Sequence, residues 1–335
     1  MNGMNRIRRM GIALQAAVCL LLGACTEREV LSPEGVIRLG AGTNDYSGMT
    51  TRTSVNDLKG LSAVGDCVGI YGVVTGRTDA AGALLTDEWR ATPLMDNVRT
   101  TGIDAATGVL SWDGTYAYPL EADKSVKFCV YHPYAASDAG SGNYVEAAPG
   151  ASPVLHFKLT GAEDVMWVQP VTGSRQQAPG ALVFDHKLTQ LRFRLVDEEG
   201  NYAGTRVTGM TFNGVNTVST LGIETGELGE WSVPSDAVAF PLKTPVEVTG
   251  TSAKPQVLEG EVMLQPGQLV FRMTVTTDNK GVFRQVEIRP TGGETAFAAG
   301  RSYLVTLTFR ERTAVALSAV VTPWVMAGYG EGTVE

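Results

Sequence analysis

The stretch LTQLRFRLV, residues 188–196, decides the fold class: Leu191, Phe193 and Leu195 alternate with Arg192 and Arg194. Successive side chains of an extended chain point to opposite faces, so this spacing sets apolar groups on one side of a sheet and guanidinium groups on the other. The segment predicts a strand in a sheet with one dry face.

Working outward, the same signature recurs on both sides of it. Short apolar runs include GVIRLGAG (35–42), CVGIYGVV (67–74), SVKFCVYHPY (125–134), TRVTGMTFNG (205–214), PVEVTG (245–250), GQLVFRMTVTT (267–277), FRQVEIRP (283–290), SYLVTLTF (302–309) and AVALSAVVTPW (314–324). Between them stand TDAAGA, ASDAGSGN, VTGSRQQAPG, TTDNKG and PTGGE, all rich in the residues that turns require. Charged residues make up only 19% of the chain and glycines number 39 of 335, which suits strands and turns, and helical patterning is scarce. Many short strands at this spacing predict an all-β protein of β-sandwiches. The best linker is VTGSRQQAPG, residues 171–180, which divides the chain into nearly equal halves. The expected organisation is therefore two tandem β-sandwich domains, 25–178 and 179–335, behind a leader at 1–24.

The leader is legible in its layout. Arg6, Arg8 and Arg9 precede an uncharged run from Met10 to Ala24, and the polar TEREV follows directly after Cys25. That is the layout of a secretory signal peptide, and the run falls short of the ~20 residues a membrane-spanning helix needs. The cleavage region Leu22-Gly23-Ala24-Cys25 resembles a bacterial lipobox, in which the cysteine is diacylated and becomes the first residue of the exported chain. The alternative is an ordinary signal peptide with a chance cysteine, or a small-residue cut near Ala24. If lipidated, Cys25 would hold a folded body at a membrane surface.

Composition also excludes partners and chemistries. A formal net charge of −8, with no basic stripe, argues against nucleic acid. His132, His156 and His186 each stand alone in strand-like contexts, so a hydrogen-bonded structural role is expected for each, with no metal and no cofactor. No nucleophile, Walker or dinucleotide motif occurs, and the chain is not expected to be an enzyme. Asp197, Glu198 and Glu199 before Gly200 read as a solvated hairpin tip. Cys67 and Cys129 lie in strand-like runs; an exported chain permits a disulfide, and buried thiols are the alternative favoured here. Trp89, Trp112, Trp167 and Trp231 could stack on sugars, but beside glycines and prolines in a β protein they read as core packing.

Several stretches together resemble the fimbrillin family of Bacteroidales. LSAVGDCVGIYGVV is similar to its Gly-Asp-x-hydrophobic-Gly strand, and SVKFCVYHPYA to its strand ending in Tyr-x-Pro-Tyr. DVMWVQ is similar to its Asp-x-x-Trp segment, and LVFDHKLTQLRFRLV to its Phe-x-His-x-Leu-x-x-Leu strand. FAAGRSYLVTLTF and VTPWVMAGYGEG resemble its last strands, and the order spans nearly the whole exported chain. The resemblance implies two transthyretin-like β-sandwich domains and a structural or adhesive subunit of a type V pilus, a cell-surface fimbrium built from exported lipoproteins. It implies, too, that a protease cuts after an arginine, that an N-terminal strand leaves, and that a C-terminal strand of another subunit fills the groove. Mapped here, VIRLGAG (36–42) is the departing strand, with Val36, Ile37 and Leu39 on it. TNDYSGMTTR (43–52) is the loop, cut after Arg52, with Arg38 as the rival site. The incoming strand is TAVALSAVVTPW (313–324), in which Val315, Leu317, Ala319 and Val321 alternate toward one face. Its partners are then other pilin subunits, the outer-membrane lipid before processing, and a host or bacterial surface ligand. The rival reading is a monomeric outer-membrane lipoprotein that anchors a pilus or binds surface glycans.

Overall fold

The computed structural model describes residues 35–40, 67–76, 89, 93–103, 109–235, 238–291, 293–310 and 316–322. Among them there is no α-helix, and the chain is all-β. Its first half contributes β1 (Gly69–Thr75), β2 (Met95–Ile103), β3 (Leu110–Trp112), β4 (Ser125–His132), β5 (Tyr144–Glu146), β6 (Val154–Lys158) and β7 (Met166–Gly173). Next come β8 (Phe184–His186), β9 (Thr189–Asp197), β10 (Arg206–Asn213), β11 (Val215–Gly222), β12 (Ser232–Ser235), β13 (Val246–Glu247) and β14 (Gln256–Val257). The last are β15 (Val262–Leu264), β16 (Phe271–Thr277), β17 (Val282–Ile288), β18 (Arg301–Phe309) and β19 (Ala316–Thr322).

Four sheets result. The first runs β3-β2-β1-β4-β7-β8 and the second β12-β11-β6-β5. Tyr71, Cys129 and Tyr131 of the first pack with Val145, Leu155, Phe157 and Leu221 of the second in one buried cluster. The third sheet, β13-β10-β16-β17, and the fourth, β14-β9-β18-β19 with β15 also on β9, enclose a second cluster. Leu191, Phe193 and Leu195 lie in it, fully buried, as the opening stretch predicts. Burying such side chains is worth about 1.5–3 kcal/mol each, which is what commits β9 to this face. The opposite face of β9 is less wet than the alternation implies: Gln190 is buried, and its Oε1 accepts a hydrogen bond from Ser302 Oγ at 2.6 Å.

The first sheet is covered on both sides. Along β4, Val126, Phe128 and Val130 face a third cluster while Cys129 and Tyr131 face the second sheet. Strands buried on both faces read as continuous apolar runs, and FCVYH does. Of the residues read as a linker, 171–180, the first three end β7 and the rest lie in the connection to β8, and the two strands pair antiparallel as Met166 with His186, Trp167 with Asp185 and Val168 with Phe184. A turn with Ser174 N–H donating to the Gln177 carbonyl at 2.7 Å lies within that connection. Strand β10 pairs with β16 in the third sheet, whereas β11 pairs with β6 in the second. Gly214 joins the two at φ +64, a left-handed conformation that glycine adopts without a steric penalty. On β15, Val262 and Leu264 belong to the core of the third and fourth sheets, and Met263 to that of the first and second.

Candidate functional site

The third cluster is closed by residues 35–40. Ile37 is 2% exposed and Leu39 0%, whereas Arg38 between them is exposed and Val36 half-buried. The segment is an extended chain with one apolar edge, sunk among Val68, Ile70, Phe128, Val130, Met166 and Leu182. Main-chain hydrogen bonds fix it at both ends: Tyr118 N–H donates to the Gly35 carbonyl and Ile37 N–H to the Tyr116 carbonyl, both at 2.9 Å. Leu110 N–H donates to the Leu39 carbonyl and Leu182 N–H to the Gly40 carbonyl, again at 2.9 Å. The residues that hold it therefore come from three separated parts of the chain. Tyr118 packs edge-on against Phe128 at a 6.2 Å centroid distance, and burial pushes its hydroxyl pKa up to about 12.

At the other end of the chain, β19 lies on the rim of the fourth sheet. It pairs antiparallel with β18 over seven positions, from Ser302 opposite Thr322 to Thr308 opposite Ala316. Leu317, Ala319 and Val321 stand opposite Leu307, Val305 and Tyr303, all three of them buried in the core. Cys25, Arg52 and Val315 lie outside the described residues.

The remaining candidates resolve into packing. Trp89 is buried against Tyr71 and donates its indole N–H to Glu224 Oε2 at 2.6 Å. Trp167 is buried, donates to the Ile223 carbonyl at 2.9 Å, and carries the Lys187 ammonium 4.5 Å above its ring. Trp112 and Trp231 are half-buried against the cores. Cys67 and Cys129 are thiols rather than a disulfide; Cys129 is buried opposite Tyr71, and Cys67 hydrogen-bonds Arg99. His156 stacks on Tyr144 and faces Glu146 at 3.0 Å. Two contacts had no sequence signal beyond the residues themselves. Glu224 gathers Trp89 and Lys127, the latter at 2.7 Å. Burial alone would raise its carboxyl pKa, but hydrogen bonds from Lys127 and Trp89 outweigh that and hold it below the usual value. His186 Nδ1 meets Asp164 Oδ1 at 2.8 Å, and both side chains are almost wholly buried.

Stacked β-sheets, antiparallel except where β9 and β18 run parallel, with an N-terminal segment bedded on one sheet and a C-terminal strand on the rim of another, define an all-β protein. The chain belongs to the fimbrillin-like family, whose sequence model matches residues 51–324. Its fold is similar to that of a candidate cell adhesion protein from Bacteroides uniformis, with 22% identity and a TM-score of 0.51 over 87% of this chain and 100% of the other. A second, from Bacteroides ovatus, has 15% identity and a TM-score of 0.50 over 78% and 88%. No curated protein matches the sequence.

Proposed function

We propose that this protein is a cell-surface subunit of a type V pilus, exported as a lipoprotein through Cys25 and assembled by proteolysis-triggered strand exchange. The observation that carries the reading is the bedding of residues 35–40: two buried apolar side chains flank an exposed arginine, and main-chain bonds reach the segment from three places. After cleavage beyond Arg52, departure of the segment would uncover the pockets of Ile37 and Leu39 and leave the Leu110 and Leu182 N–H groups unpaired. Each apolar side chain lost is worth about 1.5–3 kcal/mol and each main-chain bond about 0.5–1.5 kcal/mol, so a vacant groove demands another strand. Residues 313–324 of a second subunit supply the required apolar alternation. To donate them, a subunit must first unzip β19 from β18, so the folded-back strand is a resting state that keeps an adhesive edge covered. The rival cut site, Arg38, has an accessible side chain but a main chain pinned on both sides at Ile37 and Leu39, which a protease would have to pull free.

The pairing of β19 with its own β18 is also what a monomeric anchor or surface-binding lipoprotein would need. The two readings separate in vivo. In the pilin reading, Arg52→Ala leaves the precursor folded but unassembled, and truncation before Thr313 gives a subunit that accepts a strand but cannot donate one. Normal filaments from the first variant would sink the cleavage claim, and polymerisation of the second would sink the C-terminal donor.

A further inference from the structure

The Asp164 and His186 motif residues are left without a role by strand exchange itself, although they meet in an almost wholly buried polar contact beside the first sheet. Alternation along the strands explains where they sit. Phe184 and His186 share a face of β8, Val130 and His132 share a face of β4, and Met166 follows Asp164 by two. Phe184, Val130 and Met166 all belong to the cluster that residues 35–40 cover. The three polar residues therefore close one end of that core. His186 Nδ1 contacts Asp164 Oδ1 at 2.8 Å, and His132 Nδ1 contacts the Asp164 main-chain oxygen at 2.7 Å.

The consequence concerns β8, a three-residue edge strand with three ladder positions to hold it. Strands this short are poorly fixed by their ladder alone. Residue 182, two positions before it, forms part of the groove wall: Leu182 is fully buried in the same cluster as Ile37 and Leu39, and its N–H donates to the Gly40 carbonyl. We infer that the Asp164–His186 pair is the positioning joint of the groove, fixing β8 and through it Leu182, and so setting how firmly the chain retains residues 35–40. The joint acts on retention, and it rests on the strand-exchange reading only for its biological purpose.

The test is amide hydrogen exchange on the full chain, read by mass spectrometry for peptides covering 35–40, 109–118 and 182. His186→Ala is expected to speed exchange there by at least about tenfold, as fits the loss of a buried side-chain hydrogen bond, while β16 and β18 keep their wild-type rates. His186→Asn, whose side-chain amide can stand where Nδ1 stands, should restore most of the protection. His156→Ala, which breaks a partly exposed His–Glu contact, should change nothing in these peptides. Unchanged protection at 35–40 in His186→Ala would overturn the inference. So would uniform acceleration, failure to fold, or the absence of rescue by asparagine, each of which makes the pair a general stabiliser. Failure of strand exchange would appear elsewhere, as assembly of the Arg52→Ala chain, and would leave these exchange rates as they are.

Discussion

Leu39→Ala measures the grip on the N-terminal segment directly. Leu39 is 0% exposed, so truncation deletes three buried carbons, or about 2.4 kcal/mol at about 0.8 kcal/mol per methylene. The walls that would have to collapse on the gap, among them Phe128, Val130 and Leu182, are held in strands or by main-chain bonds. A cavity term therefore adds to the transfer term, and the sum falls near 3 kcal/mol, within the usual range of about 2–5 kcal/mol for such changes. In a chain nicked after Arg52 by an arginine-specific protease, the segment is held without a covalent link. There, about 3 kcal/mol weakens retention roughly 150-fold. The assay is the release rate of the nicked segment, followed by mass or by a fluorophore on its N-terminal side. Arg38→Ala, at the exposed position between the two anchors, should stay within about 0.5 kcal/mol of wild type. The urea midpoint of the intact chain should move less than release does, because the segment can detach before the rest unfolds. Equal release rates for Leu39→Ala and Arg38→Ala would refute the reasoning, since burial would then not govern retention.

Glycine replacements separate two mechanisms. At Gly69 a Cβ would lie 2.2 Å from the ring of Tyr131, which is buried and donates its hydroxyl to Asn97 Oδ1 at 2.7 Å, so it cannot yield. Gly69→Ala should cost about 2–3 kcal/mol in chemical denaturation. Gly214→Ala meets no atom within 4 Å and should cost about 1 kcal/mol, the penalty of φ +64 alone; the opposite order would contradict this account of the bend between β10 and β11. The pH dependence at Glu224 has a definite sign. Its folded pKa lies below the ordinary 4.5, so the ionised form stabilises the fold above that value, and the contribution is lost as pH falls through the lower folded value. Glu224→Gln should therefore lose stability at neutral pH and converge on wild type in acid, and urea midpoints measured across that range decide the point.

The legible parts of this fold are those set by local alternation. Leu191, Phe193 and Leu195 announce their dry face, and Ile37 and Leu39 announce theirs, because a period of two needs no knowledge of the partner. What lies opposite is another matter. The carbonyl of Gly40 is met by Leu182, across more than a hundred residues, and the alternation of neither segment names the other. Strand β11 alternates cleanly, yet nothing in VNTVSTLG says that it leaves the sheet of β10 for that of β6; the bend at Gly214 decides it. Residues 171–180 have the composition of a linker because a turn between adjacent strands calls for the same glycine, proline and polar residues. Asp164 and His186 stand out as motif residues, while their contact depends on the antiparallel register of β7 with β8, which only the fold supplies.

The most direct test of strand exchange is the intact mass of the protein recovered from the cell surface, compared between filament and membrane fractions. The account predicts filament subunits that begin at Thr53, without lipid, in ladders of oligomers, and a membrane-bound precursor that begins at acylated Cys25. Filaments whose subunits still begin at Cys25, with residues 35–40 attached, would contradict it.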